Sequence, residues 1–326
     1  MALLKKLRNL RTDNTTGFGT NTNSTGGRFI NKDGRANVIK RGVGILNRYS
    51  WYHTMLGMRR GKFLLLLFLI YITVNLLFAG IYYLIGIDHL AGVNTGSPWK
   101  NFTEVFFFSA QTFTTVGYGR ISPVGFAASA VSTFEAFLGL LSFAIATGLF
   151  YGRFSRPRAF LRFSKNALIA PFQGGTALMF RIVPYKNNNL SEVEVKLTMA
   201  ITSEDNGKLS DKFFDLPLEI SKINGLALSW TIVHPITETS PLYGFTKEDI
   251  ASTDIEIMVF IKGFDEVFSN NVVTRTSYVS DEIVWGAKFR MMYHPSTDKS
   301  KTVLDIDKLN VFDHVPLPEP AIAATS

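Results

Sequence analysis

Residues 114–119 read Thr-Thr-Val-Gly-Tyr-Gly, and they lie between two long apolar stretches, Phe63–Ile87 and Val124–Tyr151. The first stretch holds no charged residue and the second holds one, Glu135. Each exceeds the roughly 20 apolar residues that cross a bilayer, so the chain is expected to span a membrane twice, with a short return segment between the crossings. Gly117 and Gly119, having no Cβ, open backbone angles closed to other residues and help successive carbonyls turn the same way.

The rest of the composition is consistent with a membrane protein carrying a second domain. At 326 residues the chain is long enough for two domains, and a hydrophobic fraction of 46% is high for a wholly soluble one. Arg59, Arg60 and Lys62 precede the first span, and Arg153, Arg156, Arg158 and Arg162 follow the second. From Asp88 to Pro123 only Lys100 and Arg120 are basic. The positive-inside rule then puts both termini in the cytoplasm and the protein in the cell (inner) membrane as a multi-pass chain. A net charge of +8 could suggest nucleic acid, but the basic residues crowd beside the spans and no nucleic-acid motif accompanies them. An anionic membrane surface is the better partner. With no Cys there are no disulfides and no thiolate metal sites. The opening stretch is Lys/Arg-rich and then Thr/Asn/Gly-rich, which is not the pattern of a cleavable signal.

Along the chain five segments are expected. Residues 1–35 lack apolar periodicity and should form a mobile segment that buries little. Residues 36–62 should hold a cytoplasmic strand and, over Asn47–Met58, an interfacial helix with Trp51, Tyr52 and Met55 toward lipid, an ordinary amphipathic surface helix being the alternative. Residues 63–157 carry the spans. Between them Asn101–Phe113 reads as a short apolar helix ending at the hexapeptide, with Phe102, Phe106, Phe107 and Phe108 buried, its negative C-terminal end aimed at whatever the loop faces. After Pro157 the period changes to two: Val193, Val195, Leu197, Met199 and Ile201 alternate with Glu192, Glu194, Lys196, Thr198 and Ala200, the pattern of a half-buried strand. Further β-rich runs at Leu178–Tyr185, Leu226–Val233, Ile255–Ile261, Val272–Val279 and Ile283–Tyr293 predict an antiparallel sandwich over 158–315. Residues 316–326 are a tail. The fold class is thus membrane α plus all-β.

Several stretches together resemble one family. Thr112–Gly119 matches the selectivity filter of potassium channels, a signature recognised from those channels rather than deduced from spacing. Gly152-Arg-Phe-Ser-Arg-Pro157 matches a basic exit from the second span, and Ser229-Trp-Thr-Ile-Val-His-Pro-Ile236 with Ser240-Pro-Leu-Tyr243 matches the sandwich. Thr276-Ser-Tyr278 and Asp281-Glu-Ile-Val-Trp-Gly286 match a later strand pair. From about Gly34 to Phe312 the chain resembles the inward rectifier potassium channels, in particular their prokaryotic branch.

The resemblance implies a homotetramer whose two-span pore (slide helix, first span, pore helix, second span) joins a cytoplasmic immunoglobulin-like β-sandwich. It implies K+ held by the carbonyls of Thr115, Val116, Gly117 and Tyr118, with Gly119 closing the filter and Gln111 bracing it from behind, where many relatives have Glu. It implies a gate at Tyr151 and a second constriction around Gly263–Asn270. Helical arithmetic independently puts Phe143, Thr147 and Tyr151 on one face, although composition alone would also allow Tyr151 as an aromatic anchor in lipid. In the family the basic region, here Arg60, Lys62, Arg153, Arg156 and Arg158, binds anionic phospholipid; a plain positive-inside anchor is the alternative. Phe143 stands where strong rectifiers carry an acid that attracts polyamines and Mg2+, so strong rectification is not expected; pore block by polyamine, Mg2+ or Ba2+ is, separately, what the resemblance implies. Glu135 reads as a brace near the pore helix. No cofactor, catalytic residue or phosphate-loop pattern is expected, and His234 reads as a packed or surface histidine. Two other readings remain at this point, a non-rectifying leak or ligand-gated potassium channel and a membrane-tethered β-sandwich binding protein.

Overall fold

The computed structural model describes residues 12–13, 15–18, 27–42, 44, 50–186, 189–205 and 208–318. The chain forms two compact units, Arg41–Arg156, and Met1–Lys40 together with Pro157–Ser326.

The first unit is helical. Helix α1, Trp51–Gly57, starts at Ser50, whose hydroxyl accepts from the His53 N–H at 3.4 Å. It is shorter than expected at its start, and residues 47–49 lie outside the described residues. Trp51 and Tyr52 are exposed while Leu56 is buried, so the helix has one packed face. Helix α2, Arg60–Ile85, and helix α4, Phe126–Phe154, contain 26 and 29 residues. At about 1.5 Å per residue both exceed the ~30 Å hydrocarbon core of a bilayer. Between them strand β1, Leu90–Ala91, pairs antiparallel with β2, Ser122–Pro123, and helix α3, Pro98–Phe113, occupies the interval. Helix α3 starts with Ser97 as N-cap and Pro98 in its first turn, where a missing N–H costs nothing.

The apolar face of α3 runs through Val105, Phe108, Ser109 and Phe113, the spacing of a single helical stripe. It packs on Phe78, Ala79 and Tyr82 of α2, with Leu90 and Ile121 closing the cluster. Three consecutive phenylalanines cannot share such a stripe, because successive residues point about 100° apart. Phe108 is accordingly buried and Phe106 and Phe102 partly so, whereas Phe107 is exposed in the single chain, which corrects the expectation that all four are covered.

The second unit is a β-sandwich. After β3, Leu161–Phe163, come β4, Ala167–Phe172, β5, Gly175–Pro184, β6, Leu190–Asp205, β7, Lys208–Asp215, β8, Lys222–Gly225, and β9, Trp230–Pro235. They are followed by β10, Ile255–Asp265, β11, Asn270–Val279, and β12, Ile283–Trp285. One sheet runs β11-β10-β6-β7 with β8 also on β6; the other runs β12-β4-β5-β3 with β9 also on β5. The expectation of an all-antiparallel sandwich needs one correction, since β12 pairs parallel to β4. The run Ile283–Tyr293 is also not one strand; it breaks at Gly286, after which Ala287–Phe289 pairs with residues 312–314. The inner faces meet in one core, where Val193, Val195, Leu197, Met199 and Ile201 of β6 are all buried against Leu178, Phe180 and Ile182 of β5.

The outer face of β6 is also covered, which a half-buried strand does not require. Ala200 and Met258 are buried beneath Ile30, beside Phe213 and the partly covered Phe18 and Phe29. The covering segment is held by main-chain bonds. The Glu256 carboxylate accepts from the N–H groups of Phe29 and Ile30, Ser277 donates to the Ile30 carbonyl, and Arg28 and Lys32 pair with Glu282. Burial pushes Glu256 above the usual carboxylate range, and the two N–H donors act against that. Further toward the N-terminus, Asp13 pairs with Lys196 at 2.9 Å and accepts from Thr198 at 3.1 Å. The expectation that residues 1–35 bury little is therefore overturned for those described: polar anchors to β6, β10 and β11 replace the apolar periodicity that the sequence lacks. No strand occurs among the described residues 36–50; the only pairing there is the bridge of Ile30 to Ala36. Among the described residues past 315, Leu317 packs on the core.

Candidate functional site

Helix α3 delivers the chain to the 114–119 segment, and its last turn ties the segment down. Val116 N–H donates to the Gln111 carbonyl at 3.0 Å, Gly117 N–H to the same oxygen at 3.3 Å, and Thr115 N–H to Thr112 O at 3.0 Å. Within the chain, these Gln111 contacts are made by its main-chain oxygen. Beyond this tether φ is positive at Thr115, Gly117 and Gly119, at 58°, 50° and 81°, and negative at Val116 and Tyr118. Alternation of hand at successive residues turns consecutive carbonyls to one side, where an extended strand would alternate them. Glycine takes the left-handed angle without penalty at two of the three positions. Val116 and Tyr118 are exposed in the single chain.

Behind this segment lies a polar network buried among apolar helices. Glu135 on α4 is completely buried. It accepts from Tyr82 of α2 at 2.7 Å and from Ser109 of α3, whose hydroxyl also lies 3.1 Å from Asn75 Oδ1. Asn75 in turn donates to Tyr71 O at 2.7 Å. One carboxylate thus joins three helices. The sequence pointed to Glu135 as a brace but to neither Tyr82, Ser109 nor Asn75, because short polar side chains in apolar runs carry no periodic signal. Next to this network α4 packs tightly on α3: a Cβ on Gly139 would stand 1.9 Å from the Phe113 carbonyl oxygen.

Phe143, Thr147 and Tyr151 share one exposed face of α4, with Thr147 Oγ1 donating to Phe143 O at 2.8 Å. Leu149, which is buried, lies about 200° around the helix from Tyr151. The face carrying the three residues is therefore turned away from the packing within the chain.

The basic residues divide. Arg60, Lys62, Arg156 and Arg158 are exposed. Arg153 donates to the carbonyls of Met55, Leu56 and Met58 at the end of α1, and its guanidinium stacks 4.4 Å from the centre of the Phe63 ring. A cation at the C-terminal carbonyls of a helix is electrostatically matched to them. His234 lies elsewhere, buried in the sandwich between Pro217 O at 2.6 Å and Ser240 Oγ at 2.8 Å, and burial lowers its pKa. It is a packed histidine.

Two membrane-length helices, a helix between them and a main-chain segment in which the sign of φ alternates point to an ion channel that also carries a β-sandwich. Residues 70–156 match the family described as "Ion channel", and residues 161–326 match "Inward rectifier potassium channel C-terminal domain". The chain belongs to the inward rectifier potassium channel family. It is 36% identical over 289 residues to "Inward rectifier potassium channel Kirbac3.1" of Paramagnetospirillum magnetotacticum, covering 87% of this chain and 95% of that one. It is 29% identical to "ATP-sensitive inward rectifier potassium channel 12" of Gallus gallus, covering 80% of this chain and 66% of the relative. To "Inward rectifier potassium channel 18" of Homo sapiens the identity is 27%, over 80% of this chain and 65% of the relative. The chain thus spans about two thirds of the length of these two animal relatives and nearly all of the bacterial one. Its class is that of an ion channel residing in a membrane.

Proposed function

We propose that four copies of this chain surround one axis in the cell membrane and conduct K+ passively through rings of carbonyl oxygens from Thr115, Val116, Gly117 and Tyr118. The observation that carries this reading is the alternation of φ at residues 115–119 above the Gln111 tether, the geometry by which main-chain oxygens can replace an ion's water shell. Both termini and the sandwich lie on the cytoplasmic side, as the crowding of Lys and Arg beside the outer ends of the two spans supports. The test is 86Rb+ uptake into liposomes holding the purified protein, competed by K+ and Na+ with and without Ba2+. Barium-sensitive uptake competed by K+ alone is expected; equal competition by Na+ would refute the filter assignment.

Four copies of the exposed 143/147/151 face line the cavity below the filter, and Tyr151 forms the gate, with the β10–β11 turn around Gly263–Asn270 as a second constriction. Replacing Tyr151 with Ala is then expected to raise resting Rb+ uptake several-fold, and reduced uptake by well-assembled protein would refute the assignment. Phe143 gives the cavity no charge, so rectification by internal polyamine or Mg2+ is weak. Phe143→Asp places up to four carboxylates there and should tighten spermine block by roughly tenfold or more. Planar bilayer recordings with internal spermine measure it, and unchanged block would mean that residue 143 does not face the cavity.

Anionic phospholipid acts through Arg60, Lys62, Arg156 and Arg158, whose guanidinium and ammonium groups are open to solvent. Arg153 differs from these four in that three of its five N–H donors face the carbonyls of Met55, Leu56 and Met58, so its first role here is to hold the end of α1. Arg156→Gln with Arg158→Gln should flatten the dependence of Rb+ uptake on the fraction of phosphatidylglycerol, while Arg153→Gln changes the uptake itself more than the lipid fraction at which it responds. The reverse pattern would make Arg153 part of the lipid site.

A further inference from the structure

The 114–119 segment is anchored at its inner end by Gln111, and its outer end has an anchor of a different kind. Arg120, the residue after Gly119, forms an ion pair through Nη2 with Glu104 on α3 and points Nη1 at the Gly92 carbonyl, 3.5 Å away. The Glu104 side chain is largely covered, at 18% exposure, and that of Arg120 is half exposed. The main chain of Arg120 is confined as well. A Cβ on Gly92 would stand 1.9 Å from the Arg120 carbonyl oxygen, Ile121 is buried, and β1 and β2 pair Leu90 with Pro123 and Ala91 with Ser122. Between the two anchors, among the described residues, no main-chain hydrogen bond within the chain holds the N–H of Tyr118 or Gly119. The next tie to α3 along the chain is the one Arg120 makes with Glu104.

We propose that Glu104 and Arg120 are a positioning pair for ion selection, fixing the outer carbonyls of Tyr118 and Gly119 relative to the helix that carries the inner ones. The inference rests on the reading of Thr115–Gly119 as the filter. The physical reason is one of tolerance. A carbonyl cage distinguishes cations through the number and placement of its oxygens, and a constellation of that kind loses function when its supports allow about an ångström of play. Gly119 and Gly117 offer weak torsional resistance, so placement must come from outside the segment. Arg suits the role better than Lys, because its planar fork can serve a carboxylate and a carbonyl at once and so fixes orientation as well as distance. A partly exposed ion pair adds little to stability, so its effect should appear in selection before it appears in folding.

The test uses the full chain in liposomes, with Rb+ uptake competed by K+ and Na+ and Ba2+ block measured alongside. Glu104→Gln and Arg120→Gln should each shift the Na+-to-K+ competition ratio several-fold toward Na+ and weaken Ba2+ block, while the assembly elutes as the parent does. Wild-type ratios and block in both variants would overturn the proposal and leave a surface ion pair. Should either variant fail to assemble, Arg120→Lys decides: a several-fold shift supports the pair, and a parental ratio overturns it. Parent protein that fails to discriminate K+ from Na+ would overturn the filter reading together with the pair.

Discussion

Gly139→Ala should leave little conducting protein, although it adds one methyl group to a helix and Ala is the better helix former. The added Cβ would stand 1.9 Å from the Phe113 oxygen and 2.8 Å from its carbonyl carbon. Neither atom belongs to a flexible side chain. Relief requires α4 to move away from the end of α3, and overpacking of this kind costs about 1–3 kcal/mol or more. The displaced atoms belong to the turn that tethers Val116 and Gly117, so geometric damage should exceed the loss of stability. A fall in thermal midpoint in detergent and near-complete loss of Rb+ uptake are expected. Gly148, where a Cβ would meet nothing within 4 Å, supplies the control: Gly148→Ala should be tolerated in folding. A conducting Gly139→Ala protein with the parent's stability would show that the two helices do not approach so closely.

Glu135→Ala is the second large effect. It removes the acceptor that serves Tyr82 and Ser109; Ser109 can still donate to Asn75 Oδ1, 3.1 Å away, but the Tyr82 hydroxyl is left unpaired in an apolar interior, at about 1–3 kcal/mol. Glu135→Gln keeps one acceptor and a similar shape, so it should fall between the parent and Ala. Thermal melting in detergent gives the order parent, Gln, Ala, and Tyr82→Phe should then cost much less in the Ala background than in the parent. Equal cost of Tyr82→Phe in both backgrounds would mean that the two residues do not interact.

Legibility in the sequence followed apolar length and periodicity. The spans could be read from unbroken apolar length and the 193–201 strand from its period of two, and α2, α4 and β6 lie where those runs do. Strand β4 was missed because Ala167, Leu168, Ile169 and Ala170 are all buried, which leaves no alternation to see. The hexapeptide could be read because its chemistry lies in a contiguous main-chain segment. The supports of that segment could not, since Tyr82, Ser109, Glu104 and Arg120 come together only after three helices pack. Arg153 illustrates the limit from the other side. Its place in a basic cluster was visible, but that its guanidinium binds the α1 carbonyls depends on where a helix ends, and composition does not record that.

The covering of the outer sheet face by the chain's beginning has a consequence for synthesis. Ser277 and Ile30, joined by a hydrogen bond, are 247 residues apart in sequence. Residues 28–36 leave the ribosome before either span is made, and the strands they cover are among the last to appear. Until then both partners carry exposed apolar side chains, and contacts this distant in sequence form slowly. The sandwich therefore reaches its final form only after the membrane segments have been inserted, and an N-terminus withheld by a chaperone or a bulky fusion would delay completion of a domain encoded at the opposite end of the gene.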